Sequence, residues 1–401
     1  MDFSYEELMN FIDEEDVKFI RLAFSDINGK QKNISIMPGE LERAFRDGIS
    51  FDASAVPGFA KEIKSDLFLF PDSSTLSILP WRPTHGRVVR MFCDIKYPDD
   101  QPFVEDSRYI LKQAVAKAKK MGIRCYFGSE FEFYLFKTDE EGNSTGVPFD
   151  RAGYMDIAPE DKGENIRREI CFMLVDMGIK PESSHHEEGQ GQNEIDFRYS
   201  DALSAADNAA TFKTVVRTVA MRNGLYADFS PKPMADDSGN GMHINMSIKS
   251  DDGKDYTEQF MAGIMTHIGE MTVFLNPVEE SYHRLGEKKA PKYITWSKEN
   301  RSQLIRIPAA KGEFKRIELR SPDPEANPYI AYTLLIHAGL DGIKRNLTLP
   351  EAMDIDLFNA SEEVLKDLTS LPQSLEEAWE KAVTSEFIRE ILPSNYLQNH
   401  R

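Results

Sequence analysis

Four short segments of this chain place charged or polar side chains two residues apart. In Phe127-Gly128-Ser129-Glu130-Phe131-Glu132-Phe133-Tyr134, the carboxylates of Glu130 and Glu132 share one strand face and Phe131 and Phe133 take the other, because side chains alternate along an extended chain. The same spacing groups Glu194, Asp196 and Arg198, then His243, Asn245 and Ser247, then Arg316, Glu318 and Arg320. Any one of these is what a strand with a wet face looks like. Together they predict a curved sheet whose concave face carries carboxylates, a histidine and arginines. Crowded carboxylates cannot all stay ionised without cations, and oxygen donors with a single imidazole favour Mg²⁺ or Mn²⁺ over zinc or copper. Arg284, Arg301, Arg306, Arg316 and Arg320 fall within a short stretch beside these strands. A guanidinium fork matches phosphate and carboxylate geometry. Carboxylates, hard metals and arginines together describe phosphoryl transfer, which is largely positioning and charge neutralisation. No Walker-type GxxxxGK[ST] loop is present, so the chemistry is not that of a P-loop enzyme. The residues alone stop there, with no substrate named.

The elements that must hold these residues divide in two. A chain of 401 residues exceeds a single small core. Residues 1–100 read as a small mixed unit: a helix over Tyr5 to Asp13, strands over Val17 to Phe24 and Lys32 to Ile36 around a turn at Asp26-Ile27-Asn28-Gly29, a helix around Glu40 to Asp47, and a strand over Arg87 to Ile95. The Pro80-Trp81-Arg82-Pro83 stretch breaks regular structure, and the turn at Pro98-Asp99-Asp100 marks the boundary. From 101 to 401, helices over Ser107 to Met121, Asp161 to Met177, Ala205 to Arg222, Gln259 to Phe274 and Ala326 to Lys344 alternate with short strands, and a last helix is expected over Leu375 to Ile391. The fold class is therefore α+β.

Charge and composition exclude several partners. A net charge of −19 repels phosphate backbones, so no nucleic-acid partner is expected. No apolar run nears the ~20 residues that cross a bilayer, and Met1-Asp2-Phe3-Ser4 does not open a signal peptide. The scattered Cys93, Cys125 and Cys171 form no disulfide framework, which points to a reducing, cytoplasmic setting.

These segments resemble the type I glutamine synthetase family along nearly the whole chain. The matching stretches are Phe51-Asp52-Ala53-Ser54, Gly128 to Phe133, His185-His186-Glu187 followed by Gly191 to Asp196, Gly241-Met242-His243, Asn300-Arg301-Ser302 with Arg306-Ile307-Pro308, and Arg316 to Pro324. The resemblance implies an N-terminal β-grasp domain and a catalytic domain with an antiparallel half-barrel sheet. It also implies six-membered rings, commonly stacked in pairs to twelve, with each active site between neighbours. ATP and two Mg²⁺ or Mn²⁺ ions are the implied cofactors, and glutamate and ammonia the substrates. By this resemblance Glu132, Glu187 and Glu194 would hold one ion, and Glu130, His243 and Glu318 the other. Arg284, Arg301 and Arg320 would grip glutamate and the transferred phosphate, with Gly239 nearby. Arg306 and Arg316 would meet ATP phosphates, and Glu182, Asn245 and Ser247 would lie near the nucleotide. Asp52 would reach a neighbour's site and bind ammonium. His185 and His186 receive no role, and Phe131 and Phe133 belong to the core.

Departures from the family pattern open alternatives. The family carries a flap glutamate just before an Ala-Pro pair. Here Gly286-Glu287-Lys288-Lys289-Ala290-Pro291 puts Lys289 in that place, with Glu287 two residues earlier as a substitute. Ser238 stands where an asparagine is usual, and the final stacking segment looks absent past Arg401. The activity implied is glutamine formation through γ-glutamyl phosphate. The alternatives are γ-glutamylation of an organic amine or polyamine, and a catalytically weak structural or regulatory relative.

Overall fold

The computed structural model describes residues 4–59, 66–82, 85–310, 312 and 315–398. Pro83 and Arg401, used in the sequence reading, lie outside them. Contacts divide the chain into one unit of residues 1–113, 172–179 and 392–401, and a second of 114–171 and 180–391.

The first unit is built on strands β1 (Val17–Ser25), β2 (Gln31–Ile36), β3 (Ile49–Asp52), β4 (Asp66–Pro71), β5 (Ser77–Ile78) and β6 (Arg87–Lys96). Their order is β2-β1-β6-β4-β3, with β5 also on β6. The β1–β6 pair is parallel and the other pairings are antiparallel. Helix Tyr5–Glu14 starts at a capping box in which Ser4 and Glu7 satisfy each other's backbone amides. It sends Leu8 and Ile12 into a core with Ile20, Leu22, Leu69 and Met91, at the helical spacing that puts them on one face.

The second unit holds ten strands: β7 (Ile123–Thr138), β8 (Ser144–Pro148), β9 (Pro181–His186), β10 (Gln192–Phe197), β11 (Ser200–Asp201), β12 (Leu225–Asp228), β13 (Met242–Ser250), β14 (Trp296–Lys298), β15 (Ile305–Ile307) and β16 (Ile317–Leu319). The main order is β14-β15-β16-β13-β7-β10-β9. The sheet is antiparallel except at its edge, where β14 and β15 run parallel, so it is mixed rather than wholly antiparallel.

One face of this sheet is dry. Phe131 and Phe133 are 1% and 0% exposed and meet Phe212, which lies on helix Ala202–Arg222. Asp201 caps that helix by accepting from the Ser204 amide at 3.1 Å. Helices Thr257–Leu275 and Pro328–Arg345 touch backbone to backbone: a Cβ on Gly263 would stand 2.1 Å from the Ala338 carbonyl oxygen, and one on Gly342 2.0 Å from that of Gln259. Burial of so many aromatic and aliphatic side chains stabilises the unit by roughly 1.5–3 kcal/mol for each large one.

The expected helix over Leu375 to Ile391 is two helices, Leu375–Thr384 and Glu386–Ile391. Ser385 between them is extended, and its hydroxyl accepts from the Ile388 amide at 3.1 Å, capping the second helix. Among the described residues no helix is long and apolar enough to cross a membrane.

Candidate active site

The polar face of the second sheet is assembled by strand register. Glu132 stands opposite Glu194, Glu130 opposite both Asp196 and His243, Asn245 opposite Glu318, and Glu318 opposite Arg306. Directly opposed side chains come within about 4.5–5.5 Å at their Cβ atoms. Five strands, β7, β10, β13, β15 and β16, thus bring their charged and polar residues into one row.

The row divides into an acidic middle and a basic edge. In the middle, donor atoms of Glu130, Glu194 and His243 lie within 4.8 Å of one another, as do those of His185, Glu187 and Glu194. His243 Nδ1 is 3.4 Å from a Glu130 oxygen and 3.8 Å from Glu318. Burial, then the charges of Asp196, Glu132, Glu130 and Glu187, push the Glu194 carboxyl well above the usual range. Burial and Glu132 push Glu187 up to about 7, and burial and Glu130 do the same to Asp196. Acids crowded in this way oppose one another's ionisation, and a bound cation would offset that repulsion. Oxygen donors with one or two imidazoles suit hard divalent ions, so this donor set fits Mg²⁺ or Mn²⁺.

At the basic edge, Glu318 is fully buried between two guanidinium groups. Arg320 Nη1 donates to it at 2.7 Å and Arg306 Nε donates to its other oxygen. Burial alone would raise its pKa, but Arg320, His243 and Arg306 hold it down at about 2. Besides facing the site, Glu318 is therefore the counter-ion of the buried Arg320 and the partly buried Arg306. Arg316 Nε donates to Asn245 at 2.7 Å, and Asn245 donates to Glu130 at 2.7 Å. Arg284 is buried, with Nη1 on the Ser321 carbonyl at 2.7 Å and Nη2 on that of Arg320 at 3.2 Å. Arg301 is exposed, and its carbonyl accepts from Arg320.

Two clefts open from the row. One is lined by Glu130, Glu182, Asp196, Asn245, Ser247 and Arg316. The other is lined by Glu132, Glu187, Gly239, Arg284, Glu287 and Lys289, among others. Gly239 has no room for a side chain, since a Cβ there would stand 2.5 Å from the Pro231 carbonyl oxygen and 2.8 Å from Arg284 Cγ. Glu287 is 3.1 Å from Lys232, and Lys289 is 2.7 Å from Glu188 and lies over the Tyr154 ring. Asp52 belongs to the other unit, where its carboxylate accepts from the Ser54 amide and hydroxyl at 3.0 and 2.6 Å.

Sequence reasoning placed Asp196 on this face without a role and missed His185. His185 Nε2 is 3.2 Å from Glu194 and its Nδ1 is 3.7 Å from Glu187, and Asp196 lies beside Glu130 in register. The two-residue spacing of His185 and Glu187, the same rule applied to Glu130 and Glu132, was the signal for His185.

Comparison with known proteins fits this geometry. The family description "Glutamine synthetase, beta-Grasp domain" matches residues 16–98, and "Glutamine synthetase, catalytic domain" matches residues 104–401. The chain belongs to the glutamine synthetase family. A glutamine synthetase from Clostridium saccharobutylicum is 43% identical over 99% of this chain and 93% of its own length. One from Methanosarcina mazei is 42% identical over 98% and 92%, and one from Thermus thermophilus 41% over 98% and 92%. Among solved structures, a "GmaS/ADP complex" superposes with a TM-score of 0.89 at 29% identity, covering 100% of this chain and 94% of that one. Plasmodium falciparum glutamine synthetase, at 24% identity and TM-score 0.86, shares the fold. The chain is thus a ligase of the glutamine synthetase family, and its acidic row lies in the part matched to the family's catalytic domain.

Proposed function

We propose that this chain joins glutamate to ammonia at the expense of ATP, through γ-glutamyl phosphate. The observation that carries this reading is the acidic row flanked by arginines, with two clefts lined by its residues, in a chain 43% identical over 99% of its length to a glutamine synthetase. Glu132, Glu187 and Glu194 would hold one divalent ion, and Glu130, His243 and Glu318 a second. Bound Mg²⁺ or Mn²⁺ supplies charge neutralisation for phosphate oxygens and orients them.

The nucleotide is assigned to the cleft of Glu182, Asn245, Ser247 and Arg316; a neighbour in fold described as an ADP complex supports nucleotide binding by this fold. Arg306 and Arg316 offer forks to its phosphates. Glutamate is assigned to the cleft of Gly239 and Arg284, with Arg301 and Arg320 at its carboxylate and at the transferred phosphate. A side-chain oxygen of glutamate attacks the γ-phosphorus in line, the bond to the bridging oxygen breaks, and ADP leaves. The amine nitrogen then attacks the activated carbonyl, loses a proton, and inorganic phosphate departs. The loop of Glu287 and Lys289 covers that step and limits attack by water. Asp52, turned outward in its own unit, is assigned to a neighbouring subunit's ammonium in a ring of six.

The test is ADP release with glutamate and Mg²⁺ or Mn²⁺, adding ammonia or each of a panel of amines, on protein sized by light scattering. Turnover with ammonia by a hexamer or dodecamer is expected. An active monomer would remove Asp52 from the site, and turnover confined to organic amines would replace ammonia as the acceptor.

The loop itself makes a second prediction. A carboxylate beside ammonium stabilises it, whereas a lysine within a few ångströms opposes it by about 1–4 kcal/mol. Glu287→Ala should raise the Michaelis constant for ammonia, and Lys289→Glu should lower it, each by about tenfold or more. Steady-state kinetics in which neither variant moves would take this loop out of acceptor binding.

A further inference from the structure

A buried ionic network under the turn between β9 and β10 has no part in the reaction above. Asp150, Asp161, Arg167 and His186 are each at most 5% exposed. His186 Nε2 donates to Asp150 at 2.8 Å and Nδ1 donates to the Glu187 carbonyl at 2.6 Å. Both partners are acceptors, so both ring nitrogens carry a proton. The same Asp150 oxygen accepts from the Gly191 amide at 3.2 Å, and its other oxygen from the Lys162 amide at 3.0 Å.

A second chain of contacts runs alongside. Arg167 pairs with Asp161 and donates to Asn193 Oδ1 at 2.6 Å. Asn193 Nδ2 donates to the Gly191 carbonyl at 3.0 Å. Gly163 leaves room for this, since a Cβ there would stand 2.7 Å from Asn193 Oδ1. The network therefore grips three backbone groups of one turn, the Glu187 carbonyl and both polar groups of Gly191. That turn joins the strands that carry His185 and Glu194.

Asp150, Asp161 and His186 also come within 4.8 Å of one another. Asp161 is spent on Arg167 and Asp150 on His186, so the group is charge-balanced without an ion. Burying four ionisable side chains is costly, and an apolar cluster of the same volume would hold a fold at least as well. Fixing a geometry accounts for that cost. Side chains that orient a metal ligand from behind commonly matter as much as the ligand's own environment.

We propose that Asp150 and His186 are positioning residues that set the turn over 187–191, so that Glu187 and Glu194 present their carboxylates at the separation one divalent ion requires. This rests on the reading that Glu187 and Glu194 bind an ion. Asp150 and His186 touch neither substrate nor reacting atoms; they act through the backbone of Glu187 and Gly191.

The experiment compares Asp150→Asn and His186→Asn with Glu187→Gln as full-length protein, each checked for fold by circular dichroism. Mn²⁺ affinity is measured by electron paramagnetic resonance and calorimetry, and turnover is followed against Mn²⁺ concentration. Asp150→Asn and His186→Asn should bind Mn²⁺ about 10- to 100-fold more weakly and recover turnover as Mn²⁺ is raised, which a general loss of packing would not produce. If Asp150→Asn does not fold, His186→Asn alone decides. Wild-type Mn²⁺ affinity in the folded network variants, with Glu187→Gln impaired, overturns the inference and leaves the site reading intact. Unchanged affinity in Glu187→Gln overturns both.

Discussion

Glu318→Ala should lose about 10³-fold or more in kcat, the scale on which removing one fixed charge-stabilising group acts in an active site. It should also lose stability, which a residue on a wet strand face would not. Glu318 neutralises Arg320 and Arg306, whose side chains are 1% and 12% exposed. Removing one partner of a buried pair leaves an uncompensated charge and costs about 3–5 kcal/mol. The pH dependence has a definite sign. The Glu318 carboxyl is held at about 2, below its ordinary 4.5, so its contribution is complete above pH 4.5 and is lost as pH falls toward 2. Wild type should therefore lose its advantage over Glu318→Gln across that window in acid unfolding. Near wild-type turnover in Glu318→Ala would remove the residue from the reaction.

Glu194→Gln should separate stability from activity. Glu194 sits among Asp196, Glu132, Glu130 and Glu187 with its pKa raised by burial and by those charges. A carboxyl whose folded pKa lies above its unfolded value opposes folding as pH rises past the unfolded value. Glutamine keeps the shape, can still accept from His185, and removes the charge. In EDTA at pH 8 the variant should melt a few degrees higher than wild type, and the difference should vanish near the unfolded value of about 4.5. In Mn²⁺ the order should reverse, because wild type gains the binding free energy. Turnover should drop by about 10²-fold or more. Calorimetric melts in EDTA and in Mn²⁺ decide the matter, and a lower Tm in EDTA would mean the acids of the row do not oppose one another's ionisation.

The two-residue spacing made much of this site legible. Glu130 with Glu132 and His243 with Asn245 could be placed on one face because strand alternation is a local rule. The pairing of Phe131 with Phe212 follows the same rule read from the other side. What the spacing could not show was depth. Glu318 looks like Glu132 in sequence, yet only the approach of Arg306 from a neighbouring strand encloses it. The network of Asp150, Arg167 and His186 was likewise invisible, because Asp150 and His186 are 36 residues apart and meet only after folding. The break at Ser385 escaped for a related reason: its hydroxyl is fixed by Glu270, 115 residues away.

The alternation along β7 also bears on how this chain can change in length. Deletion of Ser129 would turn Phe131 and Phe133 into the cleft and drive the carboxylates of Glu130 and Glu132 against Phe212, because every side chain beyond the deletion changes sides. Substitutions in this strand act one position at a time, whereas an inserted or deleted codon inverts the whole strand at once. Insertions and deletions tolerated by this chain should therefore collect in connections such as 139–143 and 286–290, and spare β7, β10 and β13.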